Sequence, residues 1–132
     1  NPKFISDHPA VLGAMGMVEP LPSTDSKKMK ATLTKIEKVW NWDSTWGWDY
    51  PLMAMTAIRL KESDHAIDLL LKPLQKNTYL KNGHNYQDTR LRLYMPGNGG
   101  LLTALAWMAK GHSGDKAFVG FPKEWKVNVN GF

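Results

Sequence analysis

Aromatic rings and side-chain amides are concentrated in two stretches of the sequence, residues 41–49 and 73–98. In the first, Trp46 and Trp48 stand on either side of a glycine and are followed by Asp49. Flat rings stack on the apolar face of a pyranose, and amides both donate hydrogen bonds to hydroxyl groups and accept them. The two stretches therefore predict sugar contacts. The residues expected to make them are Trp46, Trp48, Asp49, Asn77, Tyr79, Asn82, His84, Asn85 and Asn98.

Each of these groups also has a purely structural interpretation. Trp46 and Trp48 can anchor a core, and Asp49 can cap the helix that follows it. The sequence NGH at 82–84 is typical of a turn in which glycine supplies a positive φ angle. The glycines of PGNGG at 96–100 allow backbone segments to pack closely.

Two predicted helices have a single apolar face. The first covers about 26–41 and the second begins at Ser63 in SDHAIDLLLK. Apolar residues at steps of three and four place one stripe against a core and leave charged residues on the other faces. The stripe residues are Met29, Leu33, Ile36 and Trp40 in the first helix and Ile67, Leu70 and Leu71 in the second.

Two other predicted helices are apolar on every face. One is DYPLMAMTAIRL, which starts at Asp49 with Pro51 in its first turn. The other is NGGLLTALAWMAKG, for which Asn98 is the expected cap and Gly111 the expected end. A helix that is apolar all round is expected to be buried all round.

The order along the chain is thus outer, inner, outer, inner. This alternation predicts a mainly α fold, a partial (α/α) toroid in which inner helices run in one direction and begin at one end. Stretches 41–49 and 73–98 each precede an inner helix, so both are expected at that end. A plain antiparallel four-helix bundle is the alternative.

The two ends of the chain are predicted to be less regular. The alternating residues Lys126, Val127, Asn128 and Val129 favour a small C-terminal β hairpin. The Pro- and Gly-rich start, DHPAVLGAMGMVEPLPS, is expected to run irregularly along the surface. The whole of 1–132 is predicted to be one domain.

Composition excludes several classes of function. The 132 residues include no cysteine, so disulfides and thiolate chemistry are absent. The net charge of +5 comes from scattered lysines, and no nucleic-acid-binding motif is present. We predict no bound metal or cofactor, because His8, His65, His84 and His112 have no metal-ligand spacing. No apolar run is long enough to span a membrane.

Glycoside hydrolysis generally requires two carboxylates on either side of the scissile bond. The sequence contains only four glutamates; Asp43, Asp49 and Asp88 are better placed than these, and Asp49 is the catalytic candidate. No convincing acid–base pair can be identified. The glutamates are Glu19, Glu37, Glu62 and Glu124.

Four motifs in order resemble the C-terminal part of large bacterial glycoside hydrolases of the family 65 type, whose catalytic domain is an (α/α)6 toroid. They are WGWDYPLMAMTAIRL, KNTYLKNGHNYQ, LYMPGNGGLLTALAWMAKG and GFPKEWKVNVNGF. A more distant similarity is to family 95 fucosidases, in which an Asp-Gly-Asn-Phe-Gly stretch opens a late inner helix. Here Pro96 occupies the place of that aspartate, although Asn98 is retained.

The resemblance implies that the chain is a C-terminal fragment of a six-hairpin glycosidase or phosphorylase acting on an oligo- or polysaccharide. The general acid, a glutamate, is then expected outside this chain, and the full-length protein is expected to be periplasmic or secreted. Exposed inner helices would make the isolated chain self-associate. The alternative function is a non-catalytic helical module that binds carbohydrate or another protein.

Overall fold

A computed structural model describes residues 4–112 and 120–130. The described part is mainly helical, as predicted, with one two-stranded antiparallel sheet. Short 3₁₀ helices cover Ala10–Leu12, Trp42–Ser44 and Gln75–Asn77. The other elements are α1 (Gly13–Gly16), α2 (Ser26–Val39), α3 (Asp49–Arg59), α4 (Ser63–Leu70), β1 (Thr78–Tyr79), β2 (Asn85–Tyr86) and α5 (Met95–Lys110).

Helix α3 forms the centre of the molecule. Every residue from Asp49 to Ile58 is buried, which confirms the prediction from its all-round apolar sequence. Pro51 fits the first turn because its missing N–H has no acceptor to serve there. Fully burying one large aliphatic side chain is worth roughly 1.5–3 kcal/mol, so α3 supplies a large share of the core free energy.

Helix α5 lies beside α3 and runs in the same direction. Near the start of both helices, a Cβ atom added at Gly100 would lie only 2.9 Å from Cβ of Pro51. Near their ends, the Arg59 guanidinium lies 4.7 Å from the ring centre of Trp107. Because these contacts follow the same order along both helices, α3 and α5 are parallel, as predicted, and they begin at one end of the molecule.

The N-terminal segment 8–19 lies beside α3 and runs in the same direction. We call it the N-terminal rod, and we call the N-terminal rod, α3 and α5 together the three rods. Nδ1 of His8 lies 3.0 Å from Oδ1 of Asp49, at the start of α3. At the other end of α3, Nη1 of Arg59 lies 3.2 Å from Oε2 of Glu19. Residues 8–19 therefore run alongside α3 over its whole length, from Asp49 to Arg59.

This placement corrects the prediction of an irregular surface segment at the start of the chain. Leu12 and Met15 are buried, and a Cβ atom at Gly16 would lie 2.7 Å from the carbonyl oxygen of Leu52. These residues have helical spacing, which the neighbouring prolines and glycines obscured in the sequence.

Helices α2 and α4 form an outer layer. The Asp25 carboxylate caps α2 by accepting hydrogen bonds from two backbone N–H groups of its first turn, and Met29, Leu33 and Ile36 form the predicted buried stripe. In α4, Ile67 and Leu70 are buried as predicted. The prediction for Leu71 is wrong: it lies just past the helix and is 69% exposed.

Polar side chains join the two outer helices. His65 on α4 lies between two carboxylates, with Nε2 at 2.8 Å from Glu37 Oε2 and Nδ1 at 3.2 Å from Glu62 Oε2. Lys30 on α2 also pairs with Glu62. Burial tends to raise the pKa of Glu62, but the hydrogen bonds and charges of Lys30 and His65 outweigh it and leave the pKa lowered.

The small sheet lies in the segment 73–98 rather than at the C-terminus. Strands β1 and β2 pair Thr78 with Tyr86 and Tyr79 with Asn85, and Gly83 in the turn has a φ of 83°. Residues 126–129 form no strand in the described segment 120–130, so the prediction of a C-terminal hairpin is wrong. Their alternating valines are exposed and pair with no described strand.

One long edge of α5 is exposed, which corrects the prediction that α5 is buried all round. Only Gly97, Ala104 and Met108 of α5 are buried, whereas Leu102 is 68% exposed. We call the exposed residues Met95, Gly99, Leu102 and Thr103 the α5 edge. This edge carries no charge over more than two helical turns.

We expect the isolated chain to self-associate through the α5 edge, because uncharged helical surfaces of this kind favour association. Sedimentation velocity at tens of micromolar should show species larger than a monomer, and Leu102→Lys should shift the distribution toward monomer. Leu71→Lys is the matched control, since Leu71 is equally exposed but lies on the outer layer. A wild-type chain that remains monomeric at this concentration would contradict the prediction.

Candidate functional site

Four rings meet at the end where α3, α5 and the N-terminal rod begin. The ring centres of His8 and Trp48 are 5.2 Å apart, those of His8 and Trp46 are 6.1 Å apart, and those of Trp46 and Tyr94 are 5.4 Å apart. Each ring is partly exposed. We call this set the aromatic wall. Each of the three parallel rods begins at or just after one of its members.

Asp49 lies beneath the wall and is completely buried. Its Oδ2 accepts a hydrogen bond from the Trp46 N–H at 2.7 Å, and its carboxylate lies 3.0 and 3.2 Å from Nδ1 of His8. The carboxylate therefore turns away from its own helix instead of capping it. Because it is completely buried, it offers no surface to a ligand, and the predicted sugar contact at Asp49 is replaced by a structural role. Burial raises the pKa of Asp49, although the Trp46 N–H and His8 both act in the opposite direction.

Two groups compete for Nδ1 of His8. Besides the Asp49 carboxylate, the indole N–H of Trp48 lies 2.9 Å from that nitrogen. A ring nitrogen carries either a proton or a lone pair, so it cannot serve both partners. A hydrogen bond to a carboxylate contributes about 1.5–3 kcal/mol and one between neutral groups about 0.5–1.5 kcal/mol. The balance favours Nδ1–H donating to Asp49.

Buried amides underneath the wall connect the starts of α3 and α5. Oε1 of Gln87 accepts a hydrogen bond from the Gly47 N–H at 2.9 Å, and Nε2 of Gln87 donates to Oδ1 of Asn85 at 2.8 Å. The backbone oxygen of Asn85 accepts from the Tyr94 N–H at 2.9 Å. We call Asn85 and Gln87 the amide staple. It explains what the long segment 73–98 does structurally: it holds Trp46–Gly47–Trp48 and Tyr94 at a fixed separation.

Asn85 is consequently an interior residue. It is fully buried, and its Nδ2 donates to the carbonyl oxygens of Lys76 and Thr78. Its side chain has no surface to offer a ligand, so the predicted sugar contact at Asn85 is replaced by a structural role. Gln87 lies just past β2 and was not among the predicted residues, although its position two residues after Asn85, on the same face of an extended chain, is a signal that the sequence contains.

Asn98 also has a different role from the one predicted. Helix α5 begins at Met95, so Asn98 lies inside its first turn and does not cap it. Its Oδ1 accepts from the Asn85 N–H at 3.0 Å, and its Nδ2 donates to the Gly83 carbonyl at 2.7 Å. Asn98 thus ties the hairpin to α5.

The remaining predicted polar contacts are spread along the hairpin. Asn77 donates to the carbonyl oxygens of Leu70 and Lys72. The Tyr79 hydroxyl donates to the Gly97 carbonyl at 3.2 Å, and burial raises the pKa of Tyr79 to about 12. Oδ1 of Asn82 accepts from the His84 N–H, as expected for a turn. Asn82 and His84 keep surface accessible to a ligand, and their sugar contacts stay predictions.

Two members of the wall, His8 and Tyr94, were not predicted as site residues. His8 is 41 residues from Asp49 in the sequence, and the sequence pattern assigned the segment around it to the surface. Tyr94 immediately precedes α5, so its position was available from the pattern. Burial and the charges of Asp49 and Asp7 raise its pKa.

No protein-family model matches this chain, and no curated protein or solved structure is significantly similar to it. Within residues 4–112 and 120–130, no three His, Asp or Glu side chains are grouped so as to hold a metal ion. The described helices are also all too short or too polar to cross a lipid bilayer. Function is therefore inferred from the geometry of the wall.

The amide staple predicts that Gly47 tolerates no side chain. A Cβ atom at Gly47 would lie 1.8 Å from Oδ1 of Asn85, so Gly47→Ala should lower the free energy of unfolding by about 3 kcal/mol through overpacking and a broken buried hydrogen bond. Gly99→Ala is the control, because nothing lies within 4 Å of its added Cβ. It should stabilise α5 by up to about 1 kcal/mol. Urea unfolding measures both, and equal effects would contradict the staple.

The raised pKa of Asp49 predicts how stability varies with pH. A folded chain with a raised carboxyl pKa holds that proton more tightly than the unfolded chain does, so the stabilisation is complete below the unfolded pKa and is lost as pH rises through the folded pKa. Relative to Asp49→Asn, the wild-type chain should therefore be most stable below pH 3.8 and lose stability above it until the carboxyl is ionised. Urea unfolding of both chains across a pH series tests this. An advantage of the wild type that grows with pH would refute it.

Proposed function

We propose that this chain forms part of the catalytic barrel of a bacterial glycoside hydrolase or phosphorylase and supplies one wall of its sugar-binding cleft. The observation that carries the proposal is the aromatic wall above a buried carboxylate, at the common start of three parallel rods. Exposed rings beside hydrogen-bonding groups are the combination that pyranose rings require.

The arrangement of helices supports a partial (α/α)6 toroid. The N-terminal rod, α3 and α5 are parallel neighbours with α3 in the middle, and α2 and α4 form the outer layer. The order is inner, outer, inner, outer, inner, which extends the predicted alternation by one rod. In an antiparallel four-helix bundle, the two helices adjacent to α3 would run antiparallel to it.

The glutamates support an incomplete active site. Glu19 pairs with Arg59 at the far end of α3, and Glu37 and Glu62 belong to the outer network. Glu124 lines a cavity of about 780 Å³ together with Glu62 and Lys61, which follow the last turn of α3. None of the four is at the wall, which supports the proposal that the general acid is supplied from outside this chain.

The second candidate function is a non-catalytic module that binds carbohydrate. It is favoured by the burial of α3 on all sides within this chain and by the exposure of the wall. The two proposals differ in what the isolated chain does. A module binds an oligosaccharide tightly as a monomer, whereas one wall of a cleft binds it weakly.

Replacing Trp46 with alanine tests the wall under either proposal. We expect nuclear magnetic resonance titration with gluco-, galacto-, manno- and xylo-oligosaccharides to shift the Trp46 indole N–H signal saturably for at least one series. Trp46→Ala should raise the dissociation constant about tenfold, equivalent to about 1.4 kcal/mol of lost stacking.

Trp125→Ala is the matched control, because Trp125 is a 47% exposed tryptophan that stacks on Phe121, a residue lining the cavity beside Glu62. It should leave the dissociation constant unchanged. Binding with millimolar affinity favours the cleft wall, and micromolar binding by a monomer favours the module. If no series perturbs Trp46, the carbohydrate proposal is wrong.

A further inference from the structure

The geometry points to His8 as a specificity-determining contact in this site: we propose that Nε2 of His8 accepts a hydrogen bond from a hydroxyl group of a neutral pyranose, and that Asp49 is the positioning residue that keeps Nε2 free. This inference rests on the proposed carbohydrate function. It assigns a ligand contact to a residue outside both sugar-contact stretches.

The two ring nitrogens of His8 have different surroundings. Nδ1 lies 3.0 Å from the buried Asp49 carboxylate and Nε2 lies 3.6 Å from the exposed Asp7 carboxylate, so in the neutral ring the shorter, buried contact favours the proton on Nδ1. A neutral imidazole then carries its lone pair on Nε2. The 3.6 Å between Nε2 and Oδ1 of Asp7 is too long for a hydrogen bond. In this tautomer Nε2 is an acceptor, and the hydrogen bonds that His8 makes to described residues all involve Nδ1.

The backbone on both sides of His8 is firmly held. The Asp7 N–H donates to Ser44 Oγ at 2.7 Å, and the Asp7 carbonyl accepts from the Trp40 indole at 2.8 Å. Asp7 has a φ of 63°, a conformation that non-glycine residues adopt only when neighbouring contacts hold it. Pro9, on the other side of His8, is buried. The imidazole is therefore presented by a fixed backbone.

The charges around the imidazole determine which sugars fit beside it. Carboxylates stand beside both ring nitrogens, Asp49 at Nδ1 and Asp7 at Nε2. Lys76, whose Nζ lies 5.6 Å from the Trp46 ring centre, is paired with Asp88 at 3.7 Å. Two acidic groups next to the acceptor disfavour an acidic sugar. A neutral pyranose can stack on the rings of Trp46 and Tyr94 while one hydroxyl donates to Nε2.

The positioning role can be measured without any ligand. The full 132-residue chain, labelled with ¹⁵N in its four histidines, should show His8 with Nδ1 protonated and Nε2 unprotonated at a pH where the ring is neutral. Asp49→Asn should reverse this, because the new amide oxygen takes the Trp46 N–H and the new NH₂ group donates to Nδ1. An unprotonated Nδ1 in the wild-type chain would overturn the role assigned to Asp49.

The ligand contact is tested with methyl pyranosides of glucose, galactose, mannose, fucose and xylose at tens of millimolar. For a glycoside that binds, the Nε2 signal of His8 should move toward the hydrogen-bonded range, together with the Trp46 indole signal. His8→Gln can still donate to Asp49 but places no acceptor at the Nε2 position, so it should weaken binding about tenfold, equivalent to about 1.4 kcal/mol. His65→Gln, on α4, should have no effect.

The outcomes separate this inference from the function on which it rests. A glycoside that shifts Trp46 and binds His8→Gln within twofold of wild type would remove His8 from the site and leave the carbohydrate function standing. If no glycoside shifts any signal of the wall, both the sugar contact of His8 and the carbohydrate function are wrong. The tautomer measurement then still decides what Asp49 does.

Discussion

Close contact between three backbones determines the rest of this structure. Gly16 brings the N-terminal rod against Leu52 and Thr56, and Gly100 brings α5 against Pro51. A side chain at either glycine would meet atoms of α3 at less than 3 Å, closer than van der Waals packing allows. Since both neighbours contact α3 at such short range, their direction and register along it are restricted. Hydrogen bonds add to this packing, among them the bond between His8 and Asp49 at the start of α3 and the one that the Thr56 hydroxyl donates to the Leu12 carbonyl oxygen.

The site follows from that arrangement. Parallel rods in register bring their preceding segments to one end, and three such segments contribute His8, Trp46 and Tyr94 to the wall. The separation of Trp46 from Tyr94 is set by the amide staple, in which Gln87 accepts a hydrogen bond from the Gly47 N–H and Asn85 accepts one from the Tyr94 N–H. Polar residues that look like ligand contacts in the sequence thus provide the internal bonds that a buried backbone needs. The long segment is ordered because these bonds are satisfied.

The local pattern of apolar residues is enough to predict the buried faces of helices whose burial depends little on which elements lie beside them. The stripe Met29, Leu33 and Ile36 identifies one face of α2, and the all-apolar run from Leu52 to Ile58 identifies a buried helix. The same logic failed for α5, whose equally apolar sequence has an exposed edge because periodicity reports what a helix can bury and not what surrounds it.

The candidate site was also predicted only in part, because local pattern does not report contacts between distant parts of the chain. The sequence predicts that the inner helices begin at one end of the molecule. This prediction placed Trp46, Trp48 and Asp49 correctly relative to the start of α5. The contact between His8 and Asp49 spans 41 residues and depends on packing at Gly16, which no local pattern contains. Asn85 was misjudged because an amide has the same appearance in sequence whether it serves a ligand or a buried backbone carbonyl.

The two outer sides of the three-rod array expose apolar residues, and this is relevant to the proposed (α/α)6 toroid. On one side the α5 edge is exposed, and on the other the N-terminal rod exposes Met17 and Val18. Both sides are apolar, whereas the outer layer is joined by charged groups such as Glu37 and His65. A ring that closes through further parallel rods needs uncharged surfaces at these two sides. The aromatic wall faces neither side but the common end, so rods added at the sides would extend the proposed cleft without covering the wall.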